Sequence, residues 1–461
     1  MPSLGLPGYP WQWNVAATLV GLPLALIIGT LLRLRTSRTH RRGTLVLDGF
    51  QARHQARVRK RRYGAASLTL AGVAIAPLDE TKHFKLIGTT GTGKSTAIRE
   101  LVGRALERGD TAVIADPDGG YLARFHDPGR GDVVLNPFES TASRWDPFAE
   151  IRLSYDVELL ASSLIPTGED ASGREWRGYA RTFFTAVARS CFREGRCDTS
   201  ELWRLLLVAP AAELVPIVAG TPAQPFLEAD NARMFGSIRS VAGSALAALE
   251  HIAAQRGRPF SVRHWVRNAR GVLFLPYRAT QIAALRSIIA AWLRLAIFEA
   301  MSGPEQDRHL WFVVDELDAL GAIDGLKDAL ARLRKFGGRC VLGFQSVAQV
   351  SGTYGAGEAQ TLVENCGNTL ILRCSSSEHG GTSLFASRLI GEREVVRRQT
   401  SRGRDAPGFL SARGMRRSTH VNEQHVTETA VMPSELEQLP DLSGYLKTAS
   451  STAWLKVSVP R

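Results

Sequence analysis

Cysteine is scarce and unpatterned. The chain has 461 residues and five cysteines, Cys191, Cys197, Cys340, Cys366 and Cys374, scattered and without a C-x-x-C pair. An odd, dispersed set argues against a disulfide framework or a thiolate zinc site, and for a reducing compartment. The ten histidines form no H-E-x-x-H, so nothing marks a helical zinc-hydrolase centre. Charge is missing altogether from residues 1–32. Acidic residues are nearly missing from residues 33–62, where eleven Arg/Lys face only Asp48. That segment supplies +10 of the overall +13, leaving +3 from Tyr63 onward. The body of the chain is therefore close to neutral, and the overall basicity is no argument for nucleic-acid binding.

The uncharged start has a positive reading. Trp11 to Leu32 is 22 residues without a charge, about 33 Å as a helix against about 30 Å of bilayer hydrocarbon. Trp11 and Trp13 sit at one end, as interfacial aromatics do. The arginines follow on the carboxyl side, which puts that side in the cytoplasm by the positive-inside bias. A cleaved signal peptide would need a basic region before the apolar stretch, and none exists. Pro23, Gly21 and Gly29 weaken the competing reading as a buried soluble helix. The expectation is a membrane anchor in residues 1–32 and a basic juxtamembrane segment, 33–62, suited to anionic lipid.

The strongest local signal is Phe84-Lys85-Leu86-Ile87-Gly88-Thr89-Thr90-Gly91-Thr92-Gly93-Lys94-Ser95, which contains G-x-x-x-x-G-K-S. Consecutive backbone N–H groups must curl around phosphates, and side chains at Gly88, Gly91 and Gly93 would obstruct that approach. Lys94 then reaches the β- and γ-phosphates, and the Ser95 hydroxyl takes one position on Mg²⁺. An apolar run precedes the loop as a strand should, and Thr96 to Glu107 follows with Ile98, Leu101, Val102 and Leu106 on one helical face. The positive end of that helix faces the same phosphates. Residues Gly88 through Thr96 are thus the expected ATP-binding set. Leu310-Trp311-Phe312-Val313-Val314-Asp315-Glu316 supplies the other half, an apolar strand running into two carboxylates. Asp315 is the expected Mg²⁺ carboxylate, and Glu316 the group that orients and deprotonates water. Together the two halves predict an ATPase.

Further strands are expected at Thr111–Ala115, Gly271–Leu275, Cys340–Ser346 and Thr369–Arg373, and a helix around Ile282 to Met301. Their alternation with helices predicts a mostly parallel sheet covered on both faces. Gln345, at a strand tip beside the carboxylate strand, is placed to touch a γ-phosphate or the attacking water. The stretches N-P-F (from Asn136) and W-D-P-F (from Trp145) are turn-rich and read as packing. From 152 to 262 the periodicity is helical throughout. Trp176, Tyr179, Phe183, Phe184 and Val187 share a face, Ala232 to Gln255 reads as one long helix, and Asp198 with Glu201 reads as a capping box. This segment is the expected all-α insertion in a nucleotide-binding domain formed by 63–151 and 263–461.

In this order, G-T-T-G-T-G-K-S, the N-P-F and W-D-P-F-A-E-I pair, the helical insertion, V-V-D-E-L, G-F-Q-S-V-A-Q and V-M-P-S-E-L-E-Q-L-P-D-L-S-G-Y-L resemble the type IV secretion coupling proteins of the TraD and TrwB kind. The resemblance spans roughly residues 60 to 450. It implies an α/β, RecA-like P-loop fold with an inserted all-α domain and an N-terminal transmembrane helix. It also implies a membrane-anchored homo-hexameric ATPase at the bacterial inner membrane, passing single-stranded DNA and its attached relaxase to a secretion channel. By position, Lys94, Ser95, Asp315, Glu316 and Gln345 match the family's catalytic set. Arg334 matches its proposed arginine finger, against the competing reading of a solvated basic helix face, and Arg373 is the reserve. The family usually has two membrane spans where one candidate appears here, so either a first span is absent or the start is internal. Two other classes fit part of the pattern: a double-stranded DNA translocase of the FtsK or HerA type, and a docking receptor with little turnover.

Overall fold

The computed structural model describes residues 38–167, 171–305, 308–377, 380–405 and 416–461. The predicted span Trp11–Leu32 lies outside these residues, and among them no helix is long and apolar enough to cross a membrane. The chain divides into two compact units, Met1–Leu45 with Ser387–Val431, and Val46–Ala386 with Met432–Arg461.

The larger unit is built on a ten-stranded sheet. Its order is Leu45–Leu47, Ala453–Ser458, Ser443–Lys447, Asn368–Ile371, Phe84–Ile87, Gly338–Phe344, Leu310–Val314, Thr111–Pro117, Val272–Tyr277 and Val133–Val134. The seven strands from Asn368–Ile371 to Val133–Val134 run parallel. Ser443–Lys447 and Ala453–Ser458 extend the sheet antiparallel, an addition that the tail motif alone did not reveal. Strands covered on both faces must be apolar along their whole length, and Leu310–Val314 is buried at every position. Lys85 breaks that rule in Phe84–Ile87. Its buried Nζ donates to the carbonyls of Val363 and Cys366 at 2.9 and 2.6 Å, which satisfies the ammonium, while burial lowers its pKa.

Helix Lys94–Glu107 lays Ala97, Ile98, Leu101, Val102 and Ala105 into the core cluster under the sheet. Helix Ile282–Ala300 is buried on nearly every face, as its largely apolar sequence demands. Gly343 has a specific job. A Cβ there would come within 2.2 Å of the Asp315 carbonyl, so the glycine lets the carboxylate strand's end sit close against its neighbour.

Between Asp156 and Ala254 the described residues form α- and 3₁₀-helices and no strands. Two local expectations are corrected there. Ala232–Gln255 is not one helix but Ala232–Leu246 and Ala248–Ala254; both pack on Thr199–Leu207, and the first also on Ala171–Arg193. Asp198 does cap Thr199–Leu207, accepting from the Ser200 N–H at 2.8 Å, but the capping box is half made. Glu201 is taken by Arg204, whose Nε and Nη2 donate to it at 2.8 and 3.0 Å.

The W-D-P-F-A-E-I stretch, from which the chain enters the helices, is also where the returning segment Ser261–Arg263 docks. Buried Glu150 accepts from Trp145 Nε1, the Ser261 hydroxyl and the Val262 and Arg263 N–H groups. The basic segment is also partly structural. Helix Gly49–Tyr63 buries Arg59, whose Nε donates to the Ala74 carbonyl at 2.9 Å. In the smaller unit, Arg38–Gly43 pairs antiparallel with Glu392–Asp405, which pairs along its length with Arg416–Thr429.

Candidate functional site

The loop after Phe84–Ile87 turns on glycines with positive φ, Gly91 at 78° and Gly93 at 107°. The φ of Gly93 is one that side chains rarely adopt, which reserves the position for glycine, and a Cβ there would also meet Leu442 Cδ2 at 2.6 Å. The following helix starts at Lys94 with no side-chain cap and no acid in its first turn, leaving its N–H groups to an anion. Lys94 is buried, and its Nζ donates to the Gly88 carbonyl at 2.9 Å. Burial pulls the ammonium pKa down, against the pull of Asp315 and Glu316.

The carboxylates arrive from Leu310–Val314, two strands from the loop strand. Asp315 Oδ2 accepts from the Tyr121 hydroxyl at 2.9 Å, while its Oδ1 is buried without a partner. Glu316 is raised above the ordinary carboxylate range, first by burial and then by Asp315 beside it. Gln345 bridges the two halves: its Nε2 donates to Glu316 Oε1 at 3.1 Å and its Oε1 accepts from the Thr90 hydroxyl at 2.9 Å.

These groups line one cavity of about 470 Å³, which Thr89, Thr90, Gly91, Gly93, Ser95 and Thr96 share with Lys94, Asp315, Glu316 and Gln345. Gly88 and Thr92 stand behind it, Gly88 as the acceptor for Lys94 and Thr92 donating its hydroxyl to the Thr89 carbonyl at 2.7 Å. The cavity suits a hard divalent cation. Ser95 and Asp315 offer oxygen, one of Asp315's oxygens is unclaimed, and a cation of the Mg²⁺ type binds through one or two carboxylates plus phosphate. Among the described residues, no group of three or more His, Cys, Asp or Glu could hold a metal.

The two arginines are placed differently. Arg334 ends helix Leu326–Leu333, four residues before the Gly338–Phe344 strand, at the opposite end of the sheet from the cavity, and it is exposed. Arg373 stands at the cavity's end of the sheet but is engaged, with Asp441 at 2.7 Å and the Leu439 carbonyl at 3.3 Å. Four lining residues carried no chemical signal in the sequence: Arg99, Asp441, Leu442 and Arg461. Asp441 and Leu442 lie in the tail motif, and the Leu442 N–H donates to the Thr92 carbonyl at 2.9 Å, so that motif braces the phosphate loop from outside.

Residues 67–460 match the model of the type IV secretion-system coupling protein DNA-binding domain. The chain is 31% identical over 418 residues to coupling protein TraD of Escherichia coli (strain K12), covering 88% of this chain and 56% of TraD, so it spans little more than half of that relative. It superimposes on unbound bacterial conjugative coupling protein TrwBdeltaN70 with TM-score 0.79 at 33% identity, covering 91% of this chain and 93% of that one. The plasmid coupling protein TrwB in complex with ADP and Mg²⁺ gives TM-score 0.79 at 32% identity, with 91% and 94% covered. With the phosphate loop, the paired carboxylates and the tail motif in one arrangement, and a family match over most of its length, this chain belongs to the type IV secretion coupling proteins of the TraD/TrwB kind.

Proposed function

We propose that this chain is the ATP-hydrolysing subunit of a membrane-anchored homo-hexamer that drives single-stranded DNA, with its relaxase, into a type IV secretion channel. The observation that carries the reading is the convergence of Lys94, Ser95, Asp315, Glu316 and Gln345 on one cavity lined by the phosphate loop. Similar proteins support the substrate and cation: TrwB has been solved with an ATP analogue, ADPNP, and with ADP and Mg²⁺. In this reading residues 1–32 anchor the chain, 33–62 meet anionic lipid, 63–151 and 263–461 hold the nucleotide, and 152–262 form the all-α insertion.

The contacts around the cavity support the following roles, and the resemblance adds that of Arg334. Loop N–H groups and the helix start cradle the phosphates of ATP, and Lys94 exchanges the Gly88 carbonyl for the β- and γ-oxygens. Ser95 and Asp315 would hold Mg²⁺, which when bound would neutralise charge on the phosphate oxygens. Glu316 takes a proton from the attacking water, and its raised pKa brings it closer to the working pH of a general base. Gln345, tied to Thr90 and Glu316 together, is placed to report loss of the γ-phosphate. Arg334 is the proposed finger for a neighbouring subunit, with Arg373 in reserve.

The test is ATP turnover by the full chain with no DNA, single-stranded DNA and double-stranded DNA. Single strands should stimulate most, and Lys94→Ala should abolish turnover in every case. Stimulation by duplex alone would favour a translocase of the FtsK or HerA type. No stimulation, with little basal turnover, would leave a docking receptor instead.

A further inference from the structure

Asp315 is held by a residue that no motif marks. Tyr121 is 1% exposed, and its hydroxyl donates to Asp315 Oδ2 at 2.9 Å. The rest of Tyr121 is fixed from two other directions. The Asp116 carboxylate accepts from the N–H groups of Tyr121 and Leu122 at 3.0 and 2.6 Å. The Arg99 guanidinium, on the phosphate-loop helix, lies 5.3 Å from the centre of the tyrosine ring. The phenol therefore has one orientation, set by the turn after Thr111–Pro117 and by the loop helix together.

The two oxygens of Asp315 differ sharply as a result. Oδ2 is occupied, and Oδ1 is buried with nothing bonded to it in a cavity-lining residue. A free carboxylate could rotate and offer either oxygen, or both, to a cation. One tied by a charge-assisted bond offers one oxygen in one direction. We propose that Tyr121 is the positioning residue of the cation-binding carboxylate, locking Asp315 through Oδ2 so that Oδ1 is presented to Mg²⁺ or to its bound water. This rests on the reading of the cavity as a Mg²⁺-nucleotide site. Groups that orient a metal ligand from behind are typically worth 10- to 100-fold in metal affinity.

A purely packing role is the alternative, since Tyr121 also belongs to the core cluster. Two substitutions separate them. Tyr121→Phe keeps the ring and removes only the donor; Tyr121→Met fills the space flexibly without a donor. The experiment titrates Mn²⁺, as a paramagnetic probe, into the full chain with ADP, and separately measures ADP binding in EDTA. Both variants should bind Mn²⁺ about ten-fold more weakly while metal-free ADP affinity stays unchanged, and excess Mg²⁺ should restore hydrolysis. Equal Mn²⁺ affinity in the wild type and in either variant would overturn the proposal. So would parallel losses of metal-free and metal-dependent binding, which would mark Tyr121 as packing. A wild-type chain that binds ADP but no Mn²⁺ would instead overturn the reading of the site on which this rests.

Discussion

At the amino ends of the central strands, Arg108 donates to both oxygens of Glu80 at 2.9 and 2.8 Å and to both oxygens of Asp110 at 2.9 and 2.6 Å. Arg339 adds a third bond to Glu80, and Trp311 Nε1 a further bond to Asp110. At the carboxyl ends of the same strands, Asp315 has one bare oxygen, and Lys94 holds only a carbonyl among its hydrogen bonds. The pKa directions split accordingly. Burial pushes Asp110 up, but the bonds from Arg108 and Trp311 outweigh it and its carboxyl falls below the ordinary value. Burial wins at the other end: Glu316 rises, and Asp116 is pushed up to about 6 despite two backbone N–H bonds. Both ends desolvate charge, and the cluster around Arg108 pairs its carboxylates more fully than the cavity does. Under-paired charge is what a site requires if a charged ligand is to complete it.

Arg334 offers the sharpest way to break this comparison, because it lies at the amino end and yet is the proposed finger. A finger in trans is worth about 10³- to 10⁵-fold in rate. Arg334→Ala should therefore bind ATP normally and hydrolyse it roughly 10³-fold more slowly. Mixed with Lys94→Ala subunits in rings shown to be mixed, it should regain activity, since some interfaces pair an intact loop with an intact finger. A mixture no more active than its parts would leave the amino end purely structural.

Glu316→Gln tests the carboxyl end directly. Nucleotide binding should survive, and kcat should fall about 10²- to 10⁴-fold, because in the proposed role the carboxylate acts on water rather than on affinity. Turnover at the wild-type rate would remove Glu316 as the base.

The reverse behaviour is expected of Arg108→Ala. It takes two bonds from each of two buried carboxylates, leaving Glu80 to Arg339 and Asp110 to Trp311 and His309, and should cost about 3 kcal/mol of unfolding free energy, read as a lower denaturant midpoint. Per folded molecule, turnover should change little. A stable variant with impaired turnover would contradict the division between the ends.

The pH dependence of stability should differ between the ends in sign. Asp116 has a folded pKa above its unfolded one, so its contribution is full below about pH 4 and is lost as pH rises through about 6. Asp110 has a lowered folded pKa, so its contribution is full above about pH 4 and is lost as pH falls through the folded value. Between pH 4 and 7, Asp116→Asn should flatten a decline on the order of 2–3 kcal/mol seen in the wild type. Chemical denaturation at several pH values checks this; parallel curves for the two proteins would show that Asp116 is not perturbed in the folded state.

How much of this was legible in the sequence depends on how far apart the partners lie along the chain. Phosphate binding needs consecutive N–H groups, so Gly88 to Ser95 must be contiguous and their spacing declares the chemistry. Asp315 and Glu316 were equally visible, because a buried parallel strand is apolar until it ends and the carboxylates mark that end. The interruption at Ala247 was not visible, since the apolar period continues across it and Ala247 itself keeps helical dihedrals.

The sequence by itself therefore determined the loop, the carboxylate pair, the mostly parallel order of layers and the membership of a family. Only tertiary structure decided which oxygen of Asp315 stays free, which arginine is engaged and what braces the loop. Tyr121 reaches Asp315 across 194 positions, the Leu442 N–H reaches the Thr92 carbonyl from the tail, and Arg373 meets Asp441. None of these pairs has a spacing rule. Each exists because the sheet order sets particular strand ends side by side, and adjacency in a sheet is fixed by the packing of the whole chain rather than by any stretch of it.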